Sequence, residues 1–472
     1  MPLAFLGSLL LSMVAISGSV IVGRDAAFYL NIAEQVVEHG PGVAQAQFDW
    51  PWFAILLAAT NWLLGLPLEQ AAYLWCALLM AGTCALMVAI IERRLAVSGY
   101  WACLVVLSVP AFNQFRYDII REFGFWFFSI LALGLALRWL ERGDWRSAAW
   151  LQAAIIAAAL FRLEAVFLLP VVSLCLLPKL NTREAWGRLL QINILPMVGI
   201  LTVLIRAMSG GEAHAARIAY YASLLTPHSL LARFDAIAGA FTQAALQEYA
   251  RGDAYVMVFF GLVALIVSKF LYLCGPFALP FLYPASWLAV GDYWRRLRPF
   301  AYAWLLYFCI LLLFVVQLGF INSRYISFLN LLSVPLLTMM LVSFFRRFPR
   351  YSKIFVALAL VIMMANVVSL GAKKTHYLEA SAWLSHNTQP SDAIYYDDSR
   401  VAYYAGRGYP TTMPTREQLL AEEGKSAKRF RYFVISAKEN DPLLERWLTS
   451  QGKRVLSKFA NRKGETLLIV GD

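Results

Sequence analysis

The chain has 472 residues, a net charge of +12, 60% hydrophobic residues and only 15% charged ones, with a mean hydropathy of +0.61. A soluble globular chain carries about 45–50% apolar and about 25% charged residues, so this composition excludes a disordered protein, a coiled coil and an ordinary cytosolic enzyme. The apolar stretches are helix-length, well above the ~10-residue segments of an outer-membrane barrel, and the expected class is an α-helical polytopic membrane protein.

In chain order, Leu3–Val22 is about twenty apolar residues, long enough to span a bilayer. No basic stretch precedes it, so it reads as a retained span and not a cleaved signal. The loop Arg24–Asp49 holds Asp25, Glu34, Glu38 and Asp49 against one Arg, which suits an outer face. Pro51–Leu66 is apolar but short and reads as an interfacial or re-entrant helix, with Trp50, Trp52 and Trp62 at headgroup level. Gln70–Ile91 runs inward, Tyr100–Phe112 rises to an outer loop at Asn113–Arg121, and Glu122–Trp139 descends. Ala148–Phe161 and Leu163–Leu177 form an up-down pair that turns near Arg162 and Glu164, and Leu189–Arg206 goes out again. Ser209–Asp253 is a long polar loop. Ala254–Val290 is too long for one straight span, and Gly275, Pro276, Pro280 and Pro284 break it into a span plus an irregular piece. Phe300–Leu318 and Ile326–Phe345 flank a short turn, Gly319–Tyr325, and Ile354–Leu370 is the last span, giving about eleven transmembrane helices.

Many basic residues sit in short clusters between these stretches: Arg93 and Arg94; Arg138, Arg142 and Arg146; Lys179, Arg183 and Arg188; Arg295, Arg296 and Arg298; Arg346, Arg347, Arg350 and Lys353. The positive-inside rule places such clusters in cytoplasmic loops, so the charge is a topology signal and not a nucleic-acid footprint. The N-terminus is then inside, and loops 23–69 and 208–253 and the tail are outside. The six cysteines lie in hydrophobic segments with no CxxC pair, as small core residues do. Charge density rises after residue 372. Residues 373–472 read as a small C-terminal α/β domain on the outer face, with strands at Ala393–Tyr396, Arg431–Ser436 and Thr466–Val470 and helices at Leu378–Ser385, Arg416–Glu423 and Pro442–Gln451. Residues 1–372 are the transmembrane part.

Ionisable residues near bilayer depth are functional candidates by default, and here they collect at the outer ends of spans. Arg24 and Asp25 follow the first span, and Arg116, Asp118, Arg121 and Glu122 fill the second outer loop. Arg162 and Glu164 sit in the third turn, and Arg324 and Tyr325 in the fourth. Together they suit a cavity for an anionic headgroup in which a carboxylate handles a proton. Each has a plainer reading too. Asp25 can cap a helix starting at Ala26, Asp118 and Glu122 can pair with the neighbouring arginines, Arg162 and Glu164 can be an interfacial ion pair, and Arg324 can snorkel. The five histidines form no HxxxH pair, and no GxxxxGK[ST] or GxGxxG occurs.

Five segments resemble GT-C-type integral-membrane glycosyltransferases, a class that includes the protein O-mannosyltransferases and the lipid A aminoarabinose transferases. GRDAAFYLNIAE (Gly23–Glu34) resembles the first-loop motif, in which a Tyr follows an Asp by four residues, here Tyr29 after Asp25. FDWPWFAILLAATNWLLGLPLEQAAYLW resembles the segment around the amphipathic helix, with Trp50-Pro51-Trp52 in place of the usual double proline. RYDIIREFGFWFFSILALGLALR, LFRLEAVFLLP and NSRYISFLNLLSVP resemble the second acidic motif, the short turn ending in Leu-Pro and the late Arg-Tyr-Leu-x-Pro motif. The resemblance covers roughly residues 1–370.

The resemblance implies an inverting transfer of a sugar from a polyprenyl-phosphate donor to a hydroxyl acceptor on a glycan, lipid or protein, at the non-cytoplasmic face of the bilayer. The expected setting is a bacterial inner membrane, with the C-terminal domain periplasmic or extracellular. In that reading Asp25 is the general base and Glu122 orients the acceptor or stabilises the sugar cation. Arg324, Arg162 and Tyr325 hold the donor's phosphate and lipid, and Arg24, Tyr29, Asp118, Arg121 and Glu164 contact substrate. The resemblance fixes no cofactor, and a divalent metal ion is left open because some relatives use one and others do not. The alternative class is a membrane transporter or flippase for a lipid-linked or anionic substrate, which would place its charges near mid-span and admit substrate from both faces.

Overall fold

The computed structural model describes residues 1–208, 226–369, 371–421, 429–437 and 441–472. The helices are α1 (Pro2–Ser17), α2 (Arg24–His39), α3 (Gly42–Gln47), α4 (Trp52–Leu64), α5 (Leu68–Leu95), α6 (Gly99–Ser108), α7 (Pro110–Asn113), α8 (Glu122–Arg142), α9 (Trp145–Phe161), α10 (Leu168–Leu174) and α11 (Arg183–Met208). They continue with α12 (Pro227–Ala245), α13 (Ala254–Cys274), α14 (Leu288–Arg296), α15 (Arg298–Leu318), α16 (Ser323–Arg347), α17 (Ser352–Val367), α18 (Thr375–Asn387), α19 (Ser399–Tyr404), α20 (Arg416–Ala421) and α21 (Pro442–Ser450). The strands are β1 (Ile394–Tyr396), β2 (Tyr432–Ala437), β3 (Arg454–Ala460) and β4 (Thr466–Gly471). Among the described residues, six helical stretches are long and apolar enough to cross a bilayer, and five shorter helices are apolar.

The chain folds as two compact units. The first comprises Met1–Leu11, Ala77–Arg116 and Arg121–Val367. Its spine is α16, 72% of whose apolar window is buried, against 17% for the stretches containing α13 and α17. Ser327, Asn330, Ser333 and Thr338 of α16 are all buried, and their side chains donate to Ser323 O, Phe270 O, Leu329 O and Val334 O. Such pairing is what a polar group needs away from water. The expected break in 254–290 is present: α13 ends at Gly275 (φ +56°) and gives way to 3₁₀ turns over Gly275–Leu282 and Pro284–Trp287. Glycine is required there twice over, by its left-handed φ and because a Cβ would lie 2.7 Å from Pro110 Cγ.

The second unit comprises Ser12–Cys76, Tyr117–Ile120 and Val368–Asp472. Its four-stranded sheet has the order β1-β2-β4-β3, with β1 parallel to β2 and the other pairs antiparallel. Alternation along the strands gives the sheet two apolar faces. Ile394, Tyr396, Val434, Leu467 and Ile469 pack with Tyr377 and Leu384, while Tyr395, Phe433, Ile435 and Val470 pack with Leu444 and Trp447.

Several expectations are corrected. The first span, read as Leu3–Val22, is helical only through Ser17, because Ser17-Gly18-Ser19 and the β-branched run Val20–Val22 are poor helix formers. The acidic loop Arg24–Asp49 is mainly helix: α2 buries Ala26, Ala27, Tyr29, Leu30, Asn31, Ile32, Ala33 and Val36 and stops at Gly40, φ +86°. Within the polar loop read over Ser209–Asp253, residues 209–225 lie outside the described residues. The rest contains α12, begun by Thr226, whose side chain accepts from Ser229 N at 3.3 Å, and by Pro227 at the first helical position. Leu163–Leu177 is a 3₁₀ turn followed by the short α10. In the tail, β3 and α19 were not anticipated, and positions 422–423 of the helix expected at Arg416–Glu423 lie outside the described residues.

Candidate active site

In the first unit, Arg162 gathers the residues expected near the third outer turn. Helices α8 and α9 form an antiparallel hairpin closed by Gly143 (φ +70°) and by Asp144, whose carboxylate accepts from Ser147 N at 2.8 Å. This hairpin sets Glu122, in the first turn of α8, beside Arg162, the residue that ends α9. Arg162 Nη1 donates to Glu122 Oε1 at 2.9 Å. Its Nη2 and Nε donate to Glu164 Oε1 and Oε2 at 2.5 and 3.3 Å. All three nitrogens of this buried guanidinium therefore donate to carboxylates. The Tyr325 ring lies 4.4 Å from the guanidinium carbon, a cation–π contact. Tyr307 fixes that segment by donating its hydroxyl to Tyr325 O at 3.1 Å.

The close fit of the hairpin depends on Gly124, where a Cβ would fall 2.3 Å from the Phe161 ring. Gly124→Ala is expected to destabilise the protein by about 1–3 kcal/mol through overpacking and to lower its thermal midpoint. Gly239→Ala, where a Cβ meets nothing within 4 Å, is the matched control. Equal midpoints for the two variants would show that the hairpin has slack at this point.

Arg324 is half-buried in the first turn of α16, with its backbone N–H donating to the Asn322 side chain at 3.0 Å. The same turn holds a cation the sequence reading passed over. Lys269 of α13 donates through Nζ to Ile321 O at 2.7 Å. It was legible in principle, being the single charged residue between Ala254 and Val290. Arg121 occupies the position just before α8 and makes no side-chain cap hydrogen bond there. A cavity of about 250 Å³ opens at the other end of α8, lined by Arg94, Arg188, Arg295, Arg296, Arg298 and Glu141 among others. At 1.5 Å rise per residue it is about 30 Å along α8 from Glu122, and it contains none of the expected site residues.

In the second unit, Asp25 is half-buried in the first turn of α2, and Tyr29 is buried one turn later against Phe53, ring to ring at 5.6 Å. Asp118 lies close by, with Oδ1 3.2 Å from where a Cβ on Gly23 would stand. Arg24 donates through Nε and Nη2 to Asp398 Oδ2 at 3.0 and 2.9 Å. Asp398 is buried and also accepts from Arg400 Nε, Nη2 and backbone N at 2.9, 2.8 and 3.1 Å. Burial alone would raise the Asp398 carboxyl, but the hydrogen bonds and charge of Arg400, with Arg24 beside it, hold it below the usual range. A depressed carboxylate contributes stability that is full above the unfolded value, about pH 4, and is lost as pH falls through the folded one. Asp398 and Arg400 were not singled out from sequence. The only signal was the Asp-Asp-Ser-Arg run after a strand.

Among the described residues no group of three or more His, Cys, Asp or Glu side chains could hold an ion, and Glu122 and Glu164 both pair with Arg162.

No protein-family model and no curated protein sequence matches the chain. Among solved structures, ArnT from Cupriavidus metallidurans bound to undecaprenyl phosphate aligns over 99% of this chain and 97% of its own, at 14% identity and a TM-score of 0.60. The Archaeoglobus fulgidus oligosaccharyltransferase in complex with Zn and sulfate aligns over 91% of this chain and 67% of its own, at 13% identity and a TM-score of 0.55. Both neighbours are of GT-C type, and the likeness gives this chain the same fold: a helical membrane part with a small C-terminal sheet domain.

Proposed function

We propose that the chain is a GT-C-type glycosyltransferase that transfers a sugar from a polyprenyl-phosphate donor to a hydroxyl acceptor at the non-cytoplasmic face of a membrane. The observation that carries this reading is the end-to-end likeness to a structure that binds undecaprenyl phosphate, in a chain that sets carboxylates and cations at the starts of its helices. The acceptor oxygen attacks the anomeric carbon. The bond from that carbon to the phosphate oxygen breaks, its electron pair stays on the phosphate, and the acceptor proton passes to Asp25, with inversion of configuration. Positive charge develops on the sugar ring as in glycoside hydrolysis.

The remaining roles are proposed from the pairings these residues make. In this reading Arg162, paired with two carboxylates, holds Glu122 and Glu164 in place. The phosphate's growing charge falls to Arg324 and Lys269, the cations of the Gly319–Tyr325 turn. Arg suits this task through its planar fork and Lys as a compact charge. Arg24 is committed to Asp398 and acts on α2 rather than on substrate.

The direct test is release of polyprenyl phosphate from a labelled lipid-linked sugar by the purified protein; passage of intact donor across a vesicle bilayer without bond cleavage would favour a flippase instead. Arg324→Ala and Lys269→Met should each raise donor KM roughly 10–100-fold, as expected when a hydrogen bond to a charged group is lost. Arg324→Lys should retain part of the activity. Unchanged donor KM in both truncations would remove this turn from donor binding.

A further inference from the structure

One stretch of the tail, Asp398–Tyr409, follows helix α2 along its length. Val22 N donates to the Tyr404 hydroxyl at 2.8 Å, and Arg24 is bound by Asp398. The Phe28 and Tyr409 rings lie 5.7 Å apart. A Cβ on Gly408, itself at φ +71°, would stand 3.2 Å from Asn31 Oδ1. Tyr403 donates its hydroxyl to Glu34 Oε1 at 3.1 Å. Positions 24, 28, 31 and 34 recur at helical spacing and mark one face of α2 over about 15 Å.

Asp398 is the rigid end of this row. It is buried, its oxygens take hydrogen bonds from two guanidinium groups and a backbone N–H, and it sits two residues after the short strand β1 of the sheet. Arg24, by contrast, is an exposed side chain, 65% accessible, held in one geometry by that carboxylate. An exposed ion pair is ordinarily worth little. This one is half-buried, doubly hydrogen-bonded and adjacent in sequence to Asp25.

We infer that Asp398, acting through Arg24, is a positioning residue for Asp25, and that the C-terminal sheet domain is a splint that sets the placement of α2 during transfer. The inference rests on the reading of Asp25 as the general base. A base acts only within hydrogen-bond reach of its proton, and misplacement by about 1 Å costs on the order of 10²-fold. The row of contacts supplies that constraint from outside the helix.

The test compares Asp398→Asn, Arg24→Gln, their double variant and Tyr403→Phe in the full-length protein. Asp398→Asn should lower kcat about 10–100-fold with donor KM unchanged, and amide hydrogen exchange over 24–36 should quicken while β2 and β4 stay protected. The double variant should be no slower than the worse single variant, since both break one tie. Tyr403→Phe, which removes a hydroxyl and keeps the ring, should show the same pattern more weakly. Loss of protection in the sheet with kcat per folded molecule unchanged would make Asp398 merely structural and overturn the proposal. Hydrogen exchange separates its failure from that of the transferase reading. Unchanged exchange over α2 overturns the splint whatever the activity. A loosened α2 in a protein whose wild type transfers no sugar overturns the transferase reading and the positioning role with it.

Discussion

Asp25→Asn should lower turnover by roughly 10²–10⁴-fold, the contribution of a positioned base, while the protein still inserts, purifies and binds donor. The substitution keeps the shape of the side chain, and no cap is lost with it: α2 begins at Arg24 with Gly23 at its N-cap and no side-chain cap hydrogen bond, so the expected alternative of Asp25 as the cap of a helix starting at Ala26 is corrected. In α2 the residue lies in the first turn, after Gly23 and Arg24, so its carboxylate also interacts favourably with the helix dipole. Losing that interaction costs about 0.3–1 kcal/mol of stability, far too little to imitate the expected drop in rate. Measured turnover within a few-fold of wild type, at matched donor saturation, would take Asp25 out of the chemistry.

The second large effect is on stability. Arg162→Met should destabilise the protein by about 3–5 kcal/mol, because Glu122 and Glu164 would remain without their cation. Glu122 is buried with a side chain only 7% exposed, so it cannot reach water without disturbing α8, while Glu164, on a 3₁₀ turn two residues after Arg162, is 26% exposed. The triple change Arg162→Met, Glu122→Gln, Glu164→Gln should recover much of the loss, since no uncompensated charge is left. Chemical denaturation in detergent micelles reads both. A single variant of wild-type stability with a raised donor KM would instead make Arg162 the phosphate ligand that the motif resemblance implied.

How much of this was legible follows from what each signal measures. Hydropathy marks long apolar runs, and it found α5, α8, α15 and α16 because those runs must be about 30 Å long to cross a bilayer. It missed α2 because that helix carries its apolar residues as a stripe, Ala26, Ala27, Leu30, Ala33 and Val36, diluted by Asp25, Glu34 and Glu38. It missed β3 because that strand is an edge with mostly exposed positions, and so lacks the alternation that marked β2 and β4. At the site, the charges at helix ends were visible one by one, and the pairing of Arg162 with Glu122 over forty positions was not. Spacing along a chain says which side chains share a helix face. It does not say which helix end a guanidinium will meet, so Arg162 reads as a phosphate ligand or as a partner of Glu164 alone, and Lys269 goes unnoticed beside its turn.

Strand β3 closes one side of the sheet, and its outer rim carries Arg454 and Lys458 around a register shift between Val455 and Ser457. A flat, apolar rim would offer unpaired amide and carbonyl groups to a passing strand. A kinked rim with cationic side chains does not. The feature matters more for a protein bound to a bilayer than for a free one. Confinement to two dimensions raises the rate at which identical domains collide, and β3 gives each collision a like-charged, out-of-register edge on both sides, so crowded copies separate instead of growing into a shared sheet.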